Sequence, residues 1–344
     1  MATTERQLFV FFQFNGDNKS FCNQHCPICY GHDKTFLHYW NGDVDKWEKA
    51  FERLNRDIYF VMSYGEALGS NGFYECVEMI GRHPNWTLCI ITNNSYNPDK
   101  LLESRLAQEG RLFITACWHP LGVDNCETAW ENFKENLLKY QKARVPLNVS
   151  YVWYKPQIHL FPKYFDWLDK HNFRVVVRRY VDTHSAFKIP VIRRMKWFAG
   201  KSKLADYTEA ERGFLYSLTC DKVRKYGLDL ASTLGKPCSA GKDMVLVKYD
   251  GTATLCACCY GRQDRIGNIF NPDFKLKEHL TKCPTNTCGG DFGMLHFEDS
   301  EFGALPKRLG KDNFLMLVED TPQSSPVKYE HRKEMLEWLE KLRC

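Results

Sequence analysis

The chain lacks any apolar run of 18 residues, which leaves no candidate membrane-spanning helix. Its first residues, 1–7, have neither the basic segment nor the long apolar stretch of a secretory signal. There is no internal repeat and no low-complexity tract, which excludes solenoids and disordered linkers as the main architecture. Strong charge of one sign is also missing. The formal net charge is +5 over 344 residues, a mild excess that does not call for nucleic acid or a membrane surface as partner. Hydrophobic residues make up 44%, enough for a sizeable core. What the chain has in excess is cysteine, fifteen in all. A disulfide framework suits short secreted domains, not a long chain without a signal. Reduced thiols in the cytoplasm, several of them bound to metal, are expected instead.

Short apolar runs alternate with amphipathic segments through the first half. Strands are expected at 8–14, 58–63, 87–92, 111–117, 147–153 and 173–180. Helices are expected at 43–54, 72–82, 99–108, 128–143 and 162–170. Such alternation implies parallel βα units, and six of them curl into an open or partial barrel. Active sites in such folds lie at the C-terminal strand ends. Beyond this, residues 187–235 carry a basic stretch (Arg193, Arg194, Lys196, Lys201, Lys203) and a helical segment, 208–218. Residues 244–255 read as a hairpin turning at Asp250-Gly251, and 327–343 as an amphipathic docking helix.

Directly after the first apolar run come Cys22, Cys26 and Cys29, in a C-x3-C-x2-C spacing. Three close thiolates can hold three irons of a [4Fe–4S] cluster and leave the fourth open to a chelating ligand. Zinc, with His25 or His32 as a fourth ligand, is the competing assignment, and three unconnected loop thiols are the bland one.

In shape and position the loop resembles the signature of the radical S-adenosylmethionine (radical SAM) enzymes. The resemblance covers roughly residues 7–290. It implies that Ile28 packs against adenine and that Tyr30 follows the last ligand, as is common in the family. Ser63-Tyr64-Gly65-Glu66-Ala67 is similar to the family's Gly-Gly-Glu-Pro, with Gly65 and Glu66 receiving the methionine ammonium group; Tyr64 and Ala67 depart from that pattern. Thr92-Asn93-Asn94 resembles Thr-Asn-Gly, and the stretch 115–120, ending His119-Pro120, a Ser-x-His-Pro variant. Asn148 and Ser150 on strand five are placed to reach a ribose. Arg178 or Arg179, whichever faces inward, would pair with the methionine carboxylate.

A second cysteine set resembles the SPASM and twitch auxiliary-cluster domains. Twelve residues separate Cys238 from Gly251 and four separate Gly251 from Cys256, with Gly267-Asn268-Ile269 following. Cys283 and Cys288 complete four thiolates for a closed auxiliary [4Fe–4S] site; structural zinc is the alternative there. The longer cysteine run of a two-cluster SPASM domain is missing, so the shorter twitch-like form is expected.

The expected fold class is therefore α/β: a partial (β/α)6 barrel of radical SAM type with a small C-terminal, Cys-rich, hairpin-containing auxiliary-cluster domain. Its parts would be a barrel over 1–186, a linking segment over 187–235, the auxiliary domain over 236–293 and a C-terminal extension over 294–344. The resemblance implies reductive cleavage of S-adenosylmethionine to a 5′-deoxyadenosyl radical, with electrons from a flavodoxin or ferredoxin. That radical would take hydrogen from an unactivated C–H bond of a sugar, aminocyclitol or amino acid, giving epimerisation or dehydrogenation. The cysteine loop begins at residue 22, which argues against a preceding leader-binding domain and so for a small substrate. A ribosomally made peptide is the alternative. A zinc-stabilised anion- or nucleic-acid-binding protein, using the 193–203 stretch, is the second. Cys258, Cys259 and Cys117 are candidate hydrogen-atom donors, with Cys220 a further one.

Overall fold

The computed structural model describes residues 7–14, 22–29, 43–179, 207–209, 211, 232–256 and 265–283. Six strands form the core: β1 (Leu8–Gln13), β2 (Ile58–Met62), β3 (Trp86–Thr92), β4 (Leu112–Trp118), β5 (Leu147–Trp153) and β6 (Val175–Arg179). They pair in sequence order and all in parallel. β1 and β2 are buried along their whole length, which is why they read as unbroken apolar runs rather than alternating ones.

The helices between them are α1 (Val44–Glu52), α2 (Phe73–Arg82), α3 (Asp99–Leu102), α4 (Arg105–Gln108), α5 (Cys126–Lys142) and α6 (Phe161–Lys170). The helix expected over 99–108 is broken. Ser104 is extended (φ −65°, ψ 149°) and its side chain accepts from the Ala107 N–H, so a new helical turn starts where the old one stops. α5 shows the local logic well. Asn125 caps its first turn, and Trp130, Phe133, Leu137 and Tyr140 form its buried stripe. Trp118 on β4 meets Trp130 and Phe133 of α5 and Tyr164 of α6, with ring centroids 5.0, 5.0 and 5.3 Å away.

All of these helices pack on one face of the sheet. Val10, Phe60, Leu88, Ile114, Tyr151 and Val177 join the buried helix residues in one continuous core. The alternate residues, Phe9, Phe11, Tyr59, Val61, Cys89, Phe113 and Val176, form a separate inner cluster. The inner face is concave. The Tyr59 ring on β2 stacks on Phe113 of β4, two strands away, at 5.8 Å between centroids. Arg178 on β6 acts electrostatically on Cys89 of β3, which a flat sheet would hold roughly 14 Å away.

Beyond β6 lie β7 (Pro237–Cys238), β8 (Met244–Lys248), β9 (Thr252–Thr254), β10 (Arg265–Asn268) and β11 (Thr281–Lys282). The expected hairpin is β8–β9, and Gly251 at its turn takes φ +80°, a left-handed conformation that suits glycine. β8 also pairs in parallel with β1, from Phe9↔Met244 to Gln13↔Lys248. β8, β9 and β10 therefore extend the barrel sheet to nine strands and cover the edge of β1. β7 and β11 form a small ribbon of their own. Most of the 187–235 segment, with its basic stretch and helix, and the 327–343 helix lie outside the described residues.

Candidate active site

The cysteine loop sits at the C-terminal ends of β3 and β4. Asn93, just past β3, donates to Asn23 Oδ1 (2.8 Å) and lies 3.7 Å from the Cys22 sulfur. Asn23 in turn donates to Ser95 Oγ at 2.9 Å. On the other side the His25 N–H donates to the Gly122 carbonyl at 2.9 Å. Within the loop the Cys29 N–H closes a turn onto the Cys26 carbonyl. The ends of β3 and β4 thus hold the loop at the C-terminal rim of the sheet.

Cys26 is buried, Cys22 half-buried and Cys29 exposed. Burial pushes the Cys22 and Cys26 thiols up, and neighbouring thiols push further: Cys29 acts on both, and Cys22 and Cys117 act on Cys26. Three thiols so grouped ionise together only when a cation compensates them. Among the described residues no three His, Cys, Asp or Glu side chains gather tightly enough for one metal ion. A cluster asks for something else, one thiolate at each of several irons. Cysteine thiols are the donor type that an iron–sulfur cluster takes.

Gly122 was not singled out from the sequence, and it is close to indispensable here. A Cβ on it would lie 2.4 Å from the Cys26 sulfur and 3.1 Å from the Cys26 Cα. Only glycine lets the loop approach this closely. The single sequence clue is its place, two residues after Pro120 at the end of a strand.

Glu66 is fully buried. Its carboxylate accepts from Thr92 Oγ (2.7 Å), the Asn93 N–H (2.6 Å) and the Leu68 N–H (3.2 Å). Burial pushes its pKa up to about 7, against the downward pull of those three donors. Glu66 therefore ties the turn after β2 to the turn after β3. Gly65 before it takes φ +62°, so the departures at Tyr64 and Ala67 leave the glycine-dependent part of the turn intact. Asn94 stands where the resembled pattern has glycine, and it adopts φ +58°. Asparagine is among the non-glycine residues that tolerate this best.

The remaining predicted residues divide. Thr92, Asn93, Cys117, His119 and Arg178 stand at or near the C-terminal ends of their strands, and Ser150, midway along β5, pairs with Cys117. Strand alternation puts Cys117, Ser150 and Arg178 on the inner face. His119 feels both burial and the Arg178 charge, which bring its pKa down to about 4. Ile28 is half-buried in the loop. Cys238, Cys256 and Cys283 are all buried in the inner cluster beside Leu246. Pairing of Thr281 with Cys238 puts Cys238 and Cys283 diagonally on one face of the β7–β11 ribbon. Tyr30, His32, Cys220, Cys258, Cys259 and Cys288 lie outside the described residues, and so does the side chain of Arg179.

Among the described residues no helix is long and apolar enough to cross a membrane. No protein-family model matches the chain, and no curated protein matches it by sequence. Solved structures do. Native anSMEcpe with bound AdoMet gives a TM-score of 0.53 at 14% identity, covering 97% of this chain and 96% of that one. The same protein with bound AdoMet and the Cp18Cys peptide gives 0.51 at 16%, covering 98% of each chain. Streptococcus suis SuiB bound to S-adenosylmethionine gives 0.50 at 13%, covering 78% of this chain and 64% of SuiB. The chain thus has the α/β fold of structures that carry S-adenosylmethionine.

Proposed function

We propose that the protein is a radical SAM enzyme acting on a C–H bond of a small molecule, by epimerisation or dehydrogenation. The observation that carries this reading is the cysteine loop, strapped to two strand ends with its thiols grouped over the concave face. Cys22, Cys26 and Cys29 would hold a [4Fe–4S] cluster, and S-adenosylmethionine would lie beside it. Together, when bound, these cofactors supply reductive cleavage of a sulfonium C–S bond and hydrogen-atom abstraction.

The chain's own residues bind and orient. Glu66, with Gly65, would receive the methionine ammonium, and Arg178 the carboxylate. Ser150, Thr92 and Asn93 would serve the remaining parts of the bound cofactor. Ile28 would pack on adenine and Tyr30 follow the last ligand. Cys117, on the inner face and close enough to act on Cys26, is the best-placed described donor of a hydrogen atom. Cys258 and Cys259 stay candidates by sequence. Cys238, Cys256 and Cys283, with Cys288, would hold an auxiliary cluster in residues 236–293. A reductant such as flavodoxin or ferredoxin would dock over the exposed Cys29 side.

A peptide substrate is the second reading. It is favoured by one observation: the same fold occurs in anSMEcpe with a bound peptide. The test of the main claim is replacement of Cys22, Cys26 and Cys29 together by alanine. Dithionite-driven 5′-deoxyadenosine formation should vanish while the protein stays folded. Reaction in deuterated water then separates outcomes. Solvent deuterium on a substrate carbon marks a thiol donor and epimerisation; an oxidised product without it marks dehydrogenation.

A further inference from the structure

Helix α5 carries two stripes. Trp130, Phe133, Leu137 and Tyr140 are buried in the core. Asn132, Asn136 and Lys139 follow one another at four and three residues, so they share a second line along the helix. Asparagine is a poor choice inside a helix, because its side chain competes for backbone partners. Asn136 is nonetheless almost fully buried, at 1% exposure, where an apolar residue would add packing.

The second stripe serves the loop after β3. Asn136 Nδ2 donates to the Asn94 carbonyl (2.9 Å) and the Tyr96 carbonyl (3.1 Å), and Asn132 Nδ2 donates to the Ser95 carbonyl (2.8 Å). Asn94 Nδ2 donates back to the Phe133 carbonyl at 2.9 Å, and Lys139 Nζ donates to Asn97 Oδ1 at 2.9 Å. The carbonyls of 94, 95 and 96 are thus all held by carboxamides of one helix. Glu66 holds the start of the same loop by accepting from the Asn93 N–H. Between these two holds sits the Asn93 side chain. Its Nδ2 donates to Asn23 Oδ1 and to the Cys22 sulfur, and its Oδ1 accepts from the Ser95 N–H (3.0 Å) and Ser95 Oγ (2.6 Å). The loop backbone therefore fixes where the Asn93 carboxamide points.

We propose that Asn132 and Asn136 are positioning residues: they hold the Asn93 carboxamide on the Cys22 sulfur and so set the reduction potential of the cluster that this sulfur ligates. The redox half rests on the radical SAM reading; the hold on the loop does not. A hydrogen bond to a ligating sulfur stabilises the reduced, more negative cluster and raises its potential. Both asparagines act through the loop, since their donors go to its carbonyls. Lys139 adds little, because it is shared with Asp99 and Glu135, both well exposed.

The test has an iron-free and an iron-loaded arm. In the iron-free full chain, Asn132→Ala and Asn136→Leu should each speed amide hydrogen exchange at Asn93 and Ser95 about tenfold, the effect of losing one buried donor. Ile90 and Ile114, paired in the sheet beneath, should not change. In the reconstituted chain, the signal lost on replacing Cys22, Cys26 and Cys29 by alanine is followed in a redox titration by electron paramagnetic resonance. Either α5 variant, and Asn93→Ala, should make that cluster about tenfold harder to reduce, a fall of about 59 mV for one electron. Asn136→Leu in an Asn93→Ala background should shift the potential no further, because both changes remove the same hydrogen bond. A merely structural role would give additive shifts. Additive shifts, an unchanged potential in both α5 variants, or unchanged exchange in both overturns the proposal. If Asn136→Leu misfolds by circular dichroism, Asn132→Ala, at a half-buried site, takes its place in the cycle. Wild type that takes up no iron refutes the radical SAM reading and the redox role with it, while the exchange arm still decides the hold on the loop. Normal iron with an unmoved potential refutes the positioning role only.

Discussion

On the outer face of the parallel sheet the described side chains lie against the helices, and nearly all of them are apolar, Thr92 at the end of β3 being a polar one. On the inner face β1, β4 and β6 begin apolar, with Phe9, Phe113 and Val176, and turn polar toward their C-terminal ends at Gln13, Thr115 and Arg178. The outer residues each contribute about 1.5–3 kcal/mol by burial, so stability is concentrated there. The inner polar residues contribute little and include orphaned atoms that a stability-optimised core would avoid. The difference teaches where to look for chemistry: the face that gives up packing energy faces the cysteine loop.

The comparison can be broken in several places. Cys26→Ala should have the largest effect, cutting 5′-deoxyadenosine formation by at least about a hundredfold, since one lost ligand disables the cluster. Urea unfolding of the iron-free protein should barely change. Phe51→Ala should do the opposite. Phe51 is fully buried and meets Phe60 and Phe12 at 4.9 and 5.3 Å, so its loss should cost about 3–5 kcal/mol in urea unfolding. Gly122→Ala should lower the iron bound toward the level of the triple cysteine variant, read by iron assay and visible absorbance. Its fold should survive, because the clash falls on Cys26 of the loop rather than on the packed helix–sheet core.

Asn148→Leu should be neutral or stabilise the ligand-free protein by up to about 1 kcal/mol in urea unfolding, because it removes two bare buried atoms. A loss of several kcal/mol would mean that Asn148 is part of the packing after all. The smallest effect concerns pH. Glu66 has its pKa raised by burial, so its contribution to stability is present at low pH and lost as pH rises from about 4.5 to about 7. Glu66→Gln should flatten that part of the stability profile. S-Adenosylmethionine, by supplying an ammonium, should bind more tightly as pH rises through about 7.

Much of the barrel was legible in the sequence because its strands are buried on both faces and stand as short apolar runs between capped helices. The cysteine loop stands out in the sequence by its spacing. What sequence could not show are relations across the sheet. β8 joins β1 although Met244 lies far along the chain from Phe9, and nothing local marks that pairing. The donors to Glu66 come mostly from the next strand end, Thr92 and Asn93. Gly122 matters only because Cys26 folds over it. The helix over 99–108 failed because a serine that reads as a tolerable helix residue is used as a cap.

The central claim is that the grouped thiols hold iron. Anaerobic reconstitution followed by metal analysis tests it most directly. The account predicts roughly eight irons per chain, broad visible absorbance, and a fall to about half in the triple variant at Cys22, Cys26 and Cys29. Stoichiometric zinc without that absorbance would contradict it.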